Sequence, residues 1–198
     1  LPDSQAAFKL LKKALESHHF ILVWGDFDVD GQTATALLVE ALQELGGCVE
    51  YHIPVRGQES HGITKQVLES YLKKGFDLLL TCDTGITEHE NILRVRQEGT
   101  PVIVTDHHTL GETLPPANAV VNPQRLASDH SLRTLPGVGV AYKLMEGLYQ
   151  YLGKPFRTGH YLELAALGIV ADVAELHQDT RYLLQKGLTS LHQTRRIG

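Results

Sequence analysis

Phe20-Ile21-Leu22-Val23-Trp24-Gly25-Asp26-Phe27-Asp28-Val29-Asp30-Gly31 is the stretch on which the fold turns. Five apolar residues run unbroken into a glycine and three aspartates at alternate positions. An apolar run of strand length without alternation is what a parallel strand buried on both faces shows. Outward from it the pattern repeats. Ala34, Leu37, Leu38, Ala41, Leu42 and Leu45 are spaced three and four apart, which predicts a helix over about 33–45, closed by Gly46-Gly47. Cys48–Val55 alternates and reads as a strand. Helices follow at about Thr64–Lys74 and Glu88–Glu98, each stopped by a glycine, with strands at Asp77–Asp83 and Pro101–Asp106 and a short fifth strand at Ala119–Val121. Beyond Asn122-Pro123 the pattern is helical, around Val138–Tyr151, Tyr161–Asp172 and Arg181–His192. Gly111–Pro116 and Gln124–Arg133 read as surface loops. The expected architecture is α/β: a doubly wound, mostly parallel five-stranded sheet with helices on both faces, followed by a helical C-terminal segment. The βα core spans about 18–123 and the helical extension about 135–198.

Composition narrows the function classes. A chain of 198 residues with 42% hydrophobic content can build one large domain around a core. No apolar stretch is long enough for a membrane helix, and Leu1–Leu15 is amphipathic and of mixed charge rather than a signal peptide. Two cysteines without a CxxC pair point to a reducing, cytoplasmic setting. The chain starts at Leu1 and has one internal methionine, Met145, so a piece of a longer protein is expected. The formal charge of −5 argues against holding nucleic acid by charge alone, but not against gripping phosphate through bound metal.

In open α/β sheets ligands sit outside the carboxyl ends of the strands, and that is where this sequence concentrates its acids and imidazoles. The first strand runs into Asp26, Asp28 and Asp30, the third into Thr81-Cys82-Asp83-Thr84-Gly85, and the fourth into Thr105-Asp106-His107-His108. Taken singly, each has a plainer reading as a helix cap, a turn or a solvated loop, as His18-His19 has at a helix end. Their joint occurrence at three strand ends does not. Neighbouring strands lie about 4.8 Å apart, close enough for their end groups to share two ions about 3.5–4 Å apart. Hard oxygen donors with imidazole and no thiolate suit Mn²⁺ or Mg²⁺, and a pair of such ions suits hydrolysis of phosphate esters.

These residues resemble the DHH phosphoesterase superfamily, whose Asp-His-His motif is Asp106-His107-His108 here, and within it the RecJ-like single-stranded-DNA-specific 5′ exonucleases. The resemblance rests on Gly25–Gly31, Cys82–Ile86, Thr105–His108, Val121-Asn122-Pro123, Leu135–Leu144, Ala165–Val173 and Arg181–Leu188, which together span nearly the whole chain. It implies that this is the DHH catalytic domain, with the family's DHHA1 and OB-type domains outside these 198 residues. It implies that Asp28 and Asp30 each hold one of two Mn²⁺ or Mg²⁺ ions, that Asp83 bridges them, and that His107 and Asp172 complete the second ion's ligands. Asp172 is promoted by the resemblance alone. His108 would stand beside the scissile phosphate as leaving-group acid, with Asp106 behind it fixing an imidazole and Asp26 in a similar supporting place. The implied substrate is single-stranded DNA with a 5′ end, and the implied partners are a single-strand-binding protein and a helicase. One departure is Trp24, where other branches carry a histidine ligand, leaving the first ion with fewer donors.

Substrate contacts are less legible. Arg56 is the candidate for a 5′-phosphate contact and His61 a weaker one. The Pro136-Gly137-Val138-Gly139 turn opens a helix whose N–H groups could meet a phosphate backbone, or Gly137 and Gly139 serve close packing. Lys12-Lys13, Lys73-Lys74 and Arg195-Arg196 read as solvated faces, and Cys82 as a buried thiol pointing away from Asp83. The alternatives to an exonuclease core are a small-substrate enzyme of the same superfamily, acting on short oligonucleotides or cyclic dinucleotides, and a non-catalytic replication scaffold. A scaffold should have lost part of the ligand set.

Overall fold

A computed structural model describes residues 1–196. In chain order its elements are α1 (Ser4–Glu16), β1 (Phe20–Trp24), α2 (Val29–Glu44), β2 (Cys48–His52), α3 (Lys65–Lys74), β3 (Leu78–Cys82), α4 (His89–Gln97), β4 (Val102–Thr105), β5 (Ala119–Val121), α5 (Gly137–Tyr151), α6 (Thr158–Ala171) and α7 (Gln178–Leu191). The five strands form one parallel sheet in the order β2-β1-β3-β4-β5. Side chains alternate across it. Ile21, Val23, Leu78, Leu80, Cys82 and Ile103 pack in one core with residues of α1, α2, α5 and α6. Leu22, Trp24, Leu79, Val102 and Val104 pack in a second with Leu68 of α3 and with Ile92 and Val95 of α4. Both faces are therefore dry, as the unbroken apolar runs require.

The register levels the strand ends. Trp24 pairs with Thr81 and Thr81 with Val104, while Cys82 pairs with Thr105. After β1 the chain crosses outward to β2, then returns past β1 to β3, so the switch of direction falls between β1 and β3. That crevice lies beneath the aspartates.

Three expectations change. α2 starts at Val29, five residues before the first regularly spaced apolar residue, Ala34, because the Asp28 carboxylate accepts the Gly31 N–H at 2.9 Å and caps the helix. Asp30 thereby moves from a loop into the first helical turn. β2 stops at His52 instead of running to Val55, short of Pro54, which has no N–H for a ladder. Arg196 is not a solvated cation: its Nε donates to Glu163 and its Nη2 to Glu40, both at 2.7 Å, and Glu163 is buried. The reading of Cys82 holds, with its thiol buried 3.3 Å from Thr35 Oγ1.

A candidate metal centre at the carboxyl edge of the sheet

Asp83 follows β3 in the left-handed region, φ 59°, a conformation aspartate tolerates better than most residues. The turn is held by Thr81 Oγ1 donating to the Thr84 carbonyl at 2.7 Å. It aims the carboxylate inward, where His107 Nε2 lies 3.1 Å from Asp83 Oδ1, 3.8 Å from Asp30 Oδ2 and 3.9 Å from Asp172 Oδ1. Asp83, His107 and His108 each offer a ligand atom within 4.8 Å of the others, as do Asp30, His107 and Asp172. Of the residues read from three strand ends, Asp30, Asp83, His107 and His108 meet, and Asp172 joins them from the end of α6.

Asp30 is gripped from across the fold. Its Oδ2 accepts the Gly137 N–H at 2.6 Å and its Oδ1 the Val138 N–H at 2.9 Å, so the positive end of α5 points at a carboxylate. This is a different task from the phosphate contact expected of that turn. Gly137 also has no room for a side chain, since a Cβ there would lie 2.5 Å from Asp83 Oδ1. Gly139 is buried against Leu135. Both glycines are buried against protein atoms.

Burial, and then the charge of Asp83, pushes the Asp30 carboxyl up to about 8; burial, and then Asp28, pushes Asp83 up to about 9. Asp172 is raised too, chiefly by burial. Asp106 goes the other way. Although burial opposes its charge, the His108 imidazole and the N–H groups of Ile86 and His108 hold it below the usual carboxylate range. The 2.7 Å hydrogen bond between His108 Nδ1 and Asp106 Oδ1 in turn raises His108 to about 9.

One atom tests whether the site fits a cation. Asp83 Oδ1 is buried without a hydrogen-bond partner, although His107 Nε2 is only 3.1 Å away. The two are close without forming a hydrogen bond. A buried acceptor left unpaired costs about 1–3 kcal/mol, and a divalent cation among four oxygen and nitrogen donors removes that cost. The residues fit the ion.

The other expected residues sit around this centre. Asp28 is exposed and near enough to raise Asp83, but its carboxylate caps α2. Asp26 is buried, with Oδ2 2.9 Å from His61 Nδ1. His61 stacks on Phe27, ring centroids 4.0 Å apart, and the Arg56 guanidinium lies 5.0 Å from the centroid of the same ring. His61 lines a cleft of about 380 Å³ whose walls include Asp26, Asp83, Asp106 and His108, and Phe27 and Arg56 stack behind it. Trp24 turns from the carboxylates to the α3–α4 side. There its indole N–H donates to the Gly62 carbonyl at 3.2 Å, anchoring the loop that carries His61. Two supports were not picked out from the sequence. Asn122 Nδ2 donates to the His108 carbonyl at 3.0 Å, and Gly168 leaves the space into which Asp30 Oδ1 fits, 2.6 Å from a Cβ built there. A glycine inside the apolar run of α6 was the available signal.

Comparison with known proteins agrees. Residues 20–169 match the family model for the DHH family, N-terminal domain. The chain is 36% identical over 188 residues to the single-stranded-DNA-specific exonuclease RecJ of Bacillus subtilis, covering 95% of this chain and 23% of that protein. It is 41% identical over 199 residues to the protein of that name from Thermus thermophilus, covering all of this chain and 29% of the relative. A crystal structure of exonuclease RecJ bound to manganese superposes with a TM-score of 0.88 at 41% identity, over 96% of this chain and 48% of the other. The chain thus spans between a fifth and a third of the length of these two curated relatives.

Proposed function

The chain belongs to the DHH family, and from that premise we propose that it is the catalytic core of a metal-dependent exonuclease that hydrolyses single-stranded DNA from the 5′ end. The observation that carries this reading is the buried, unpartnered Asp83 Oδ1 facing His107 between Asp30 and Asp172. Asp28, Asp30, Asp83, His107 and Asp172 are the residues that would hold two Mn²⁺ or Mg²⁺ ions. When bound, such ions supply Lewis acidity at phosphoryl oxygens and offset the crowded negative charge.

The rest of the chemistry belongs to the chain's own side chains. Asp106, fixed by the N–H groups of Ile86, His107 and His108, keeps the His108 imidazole oriented and protonated at neutral pH. His108 opens onto the cleft and can hand its proton to the departing 3′ oxygen as water forms the new bond to phosphorus and the P–O3′ bond breaks. The Asp26–His61 pair and Arg56 offer donors at the rim for the terminal 5′ phosphate. The complete ligand set favours an enzyme over a scaffold. No described helix is long and apolar enough to cross a membrane. A single-strand-binding protein and a helicase are the partners that the family resemblance proposes, in a cytoplasmic setting.

The test compares Mn²⁺-dependent release from 5′-labelled single-stranded DNA, duplex DNA, a dinucleotide and pyrophosphate, with Asp83→Ala as control. Single-stranded DNA should be preferred and Asp83→Ala inert. Preference for pyrophosphate, or full activity in Asp83→Ala, overturns the reading.

A further inference from the structure

The adjacent histidines His107 and His108 line different clefts. The one described above holds His108. A second, of about 310 Å³, is walled by His107 and Asp172 on one side and by Gln124, Ser128, Arg133 and Glu175 among others. Apart from His107 and Asp172, the metal centre makes no use of its lining.

Arg133 is the one cation of that wall besides the imidazole, and it is fixed in place. Its Nη1 donates to two backbone carbonyls, Gln124 at 2.8 Å and Leu126 at 2.6 Å. Among the described residues no carboxylate forms an ion pair with it, and its Nε and Nη2 have no protein acceptor, although Glu175 shares the cleft. By contrast, Arg94, Arg125, Arg157 and Arg196 are each paired with a carboxylate. A guanidinium nailed by one nitrogen to main-chain carbonyls loses little further freedom when the remaining fork binds, which is the condition for recognising a phosphate.

The polarity of the cleft adds to this. Asp172 and Glu175 repel a phosphate where they line the wall, so an anionic strand is favoured at two places: at the metal centre, and at Arg133. We propose that this second cleft is a nucleotide subsite in which Arg133 binds the phosphodiester next to the scissile one on its 3′ side. The inference rests on the hydrolytic reading above and deepens it. With the terminal nucleotide in the His108 cleft and the scissile phosphate at His107, the continuing strand leaves through the Arg133 cleft. The His108 cleft thus meets the departing nucleotide and the Arg133 cleft the retained strand.

Substrate length isolates the contact. A 5′-phosphorylated trinucleotide carries the extra phosphodiester and a 5′-phosphorylated dinucleotide lacks it. In Arg133→Gln, the ratio of kcat/KM for trinucleotide over dinucleotide with Mn²⁺ should fall about tenfold, through KM, as for loss of one charge-assisted phosphate contact. Arg133→Lys, which keeps the charge but not the fork, should restore only part of it. Affinity for the trinucleotide, read by fluorescence anisotropy in EDTA, should fall in Arg133→Gln with a salt dependence shallower by about one phosphate. An equal loss on both substrates marks Arg133 as a staple of the 124–134 loop and overturns the subsite, as does no loss on either. If the wild-type chain cleaves neither substrate, the hydrolytic reading fails. The anisotropy series then still decides the subsite: equal trinucleotide affinity in wild type and Arg133→Gln overturns it, and a tenfold difference supports it.

Discussion

Asp30 and Asp83 are buried side by side, and the metal-free protein resists charging either. Their carboxyls titrate near 8 and 9 in the folded chain, against about 3.9 for an unfolded aspartate. A folded-state value raised in this way stabilises the fold at low pH, and the contribution is lost as pH rises through the folded value. His108, raised to about 9 from an ordinary 6.5, acts with the same sign. The thermal midpoint of the metal-free protein should therefore fall steadily from about pH 5 to about pH 9. Asp83→Asn should flatten that slope, and saturating Mn²⁺ should lift the midpoint most at the alkaline end, because the ion binds the folded carboxylates. Calorimetry over that range decides; a wild-type midpoint that climbs with pH refutes the pairing. His108 carries a second prediction. Replacing it by alanine should lower kcat by about 10²–10⁴-fold for DNA. The loss should be much smaller for a nitrophenyl phosphodiester, whose leaving group needs no proton. Equal losses on the two would remove the acid role.

At the level of elements, the amino end of α5 does what a loop of ligands could not. Two consecutive N–H groups fix the Asp30 carboxylate from 107 and 108 residues away, and the absent side chain at Gly137 leaves room for Asp83. Gly137→Ala adds a methyl within 2.5 Å of Asp83 Oδ1, which forces α5 and the carboxylate apart. Calorimetric titration should show Mn²⁺ affinity reduced by about 10–100-fold, the range for disturbed support of a ligand. Gly159→Ala is the control. Nothing lies within 4 Å of a Cβ there, and alanine favours the helix by about 1 kcal/mol, so metal affinity should match wild type. The same element shows why the sequence left phosphate contact and close packing both open for this turn: a helix N-terminus attracts any anion, and a pattern of glycines does not say which anion arrives.

Across the whole molecule, Arg196 ties the residues after α7 to α2 and α6 through Glu40 and Glu163, with His160 Nε2 3.0 Å from its Nη2. Glu163 is buried, so Arg196→Ala leaves a carboxylate dry and unpaired. The cost should be about 1–3 kcal/mol, visible as a lower urea midpoint at unchanged slope. An unchanged midpoint would return Arg196 to the solvated face first expected of it. The elements that carry the site were legible because parallel strands buried on both sides must be apolar throughout, and a run such as Leu78–Cys82 has few other ways to fold. The Arg196 latch was not, since it depends on Glu40 and Glu163, partners brought near only by folding.

What Phe20–Gly31, Cys82–Ile86 and Thr105–His108 determine unaided is local: strand, turn, acid at the carboxyl end, and hence a doubly wound sheet with its chemistry on one edge. Periodicity is a property of neighbours along the chain, so it survives in a one-dimensional reading. Which acids meet is not. Only the strand order β2-β1-β3-β4-β5 puts Asp30 beside Asp83, only the return of α5 and α6 brings Gly137 and Asp172 to them, and only packing leaves Asp83 Oδ1 without a partner. Contacts between residues a hundred positions apart are chosen by the burial of whole faces, and no short stretch of sequence records that choice.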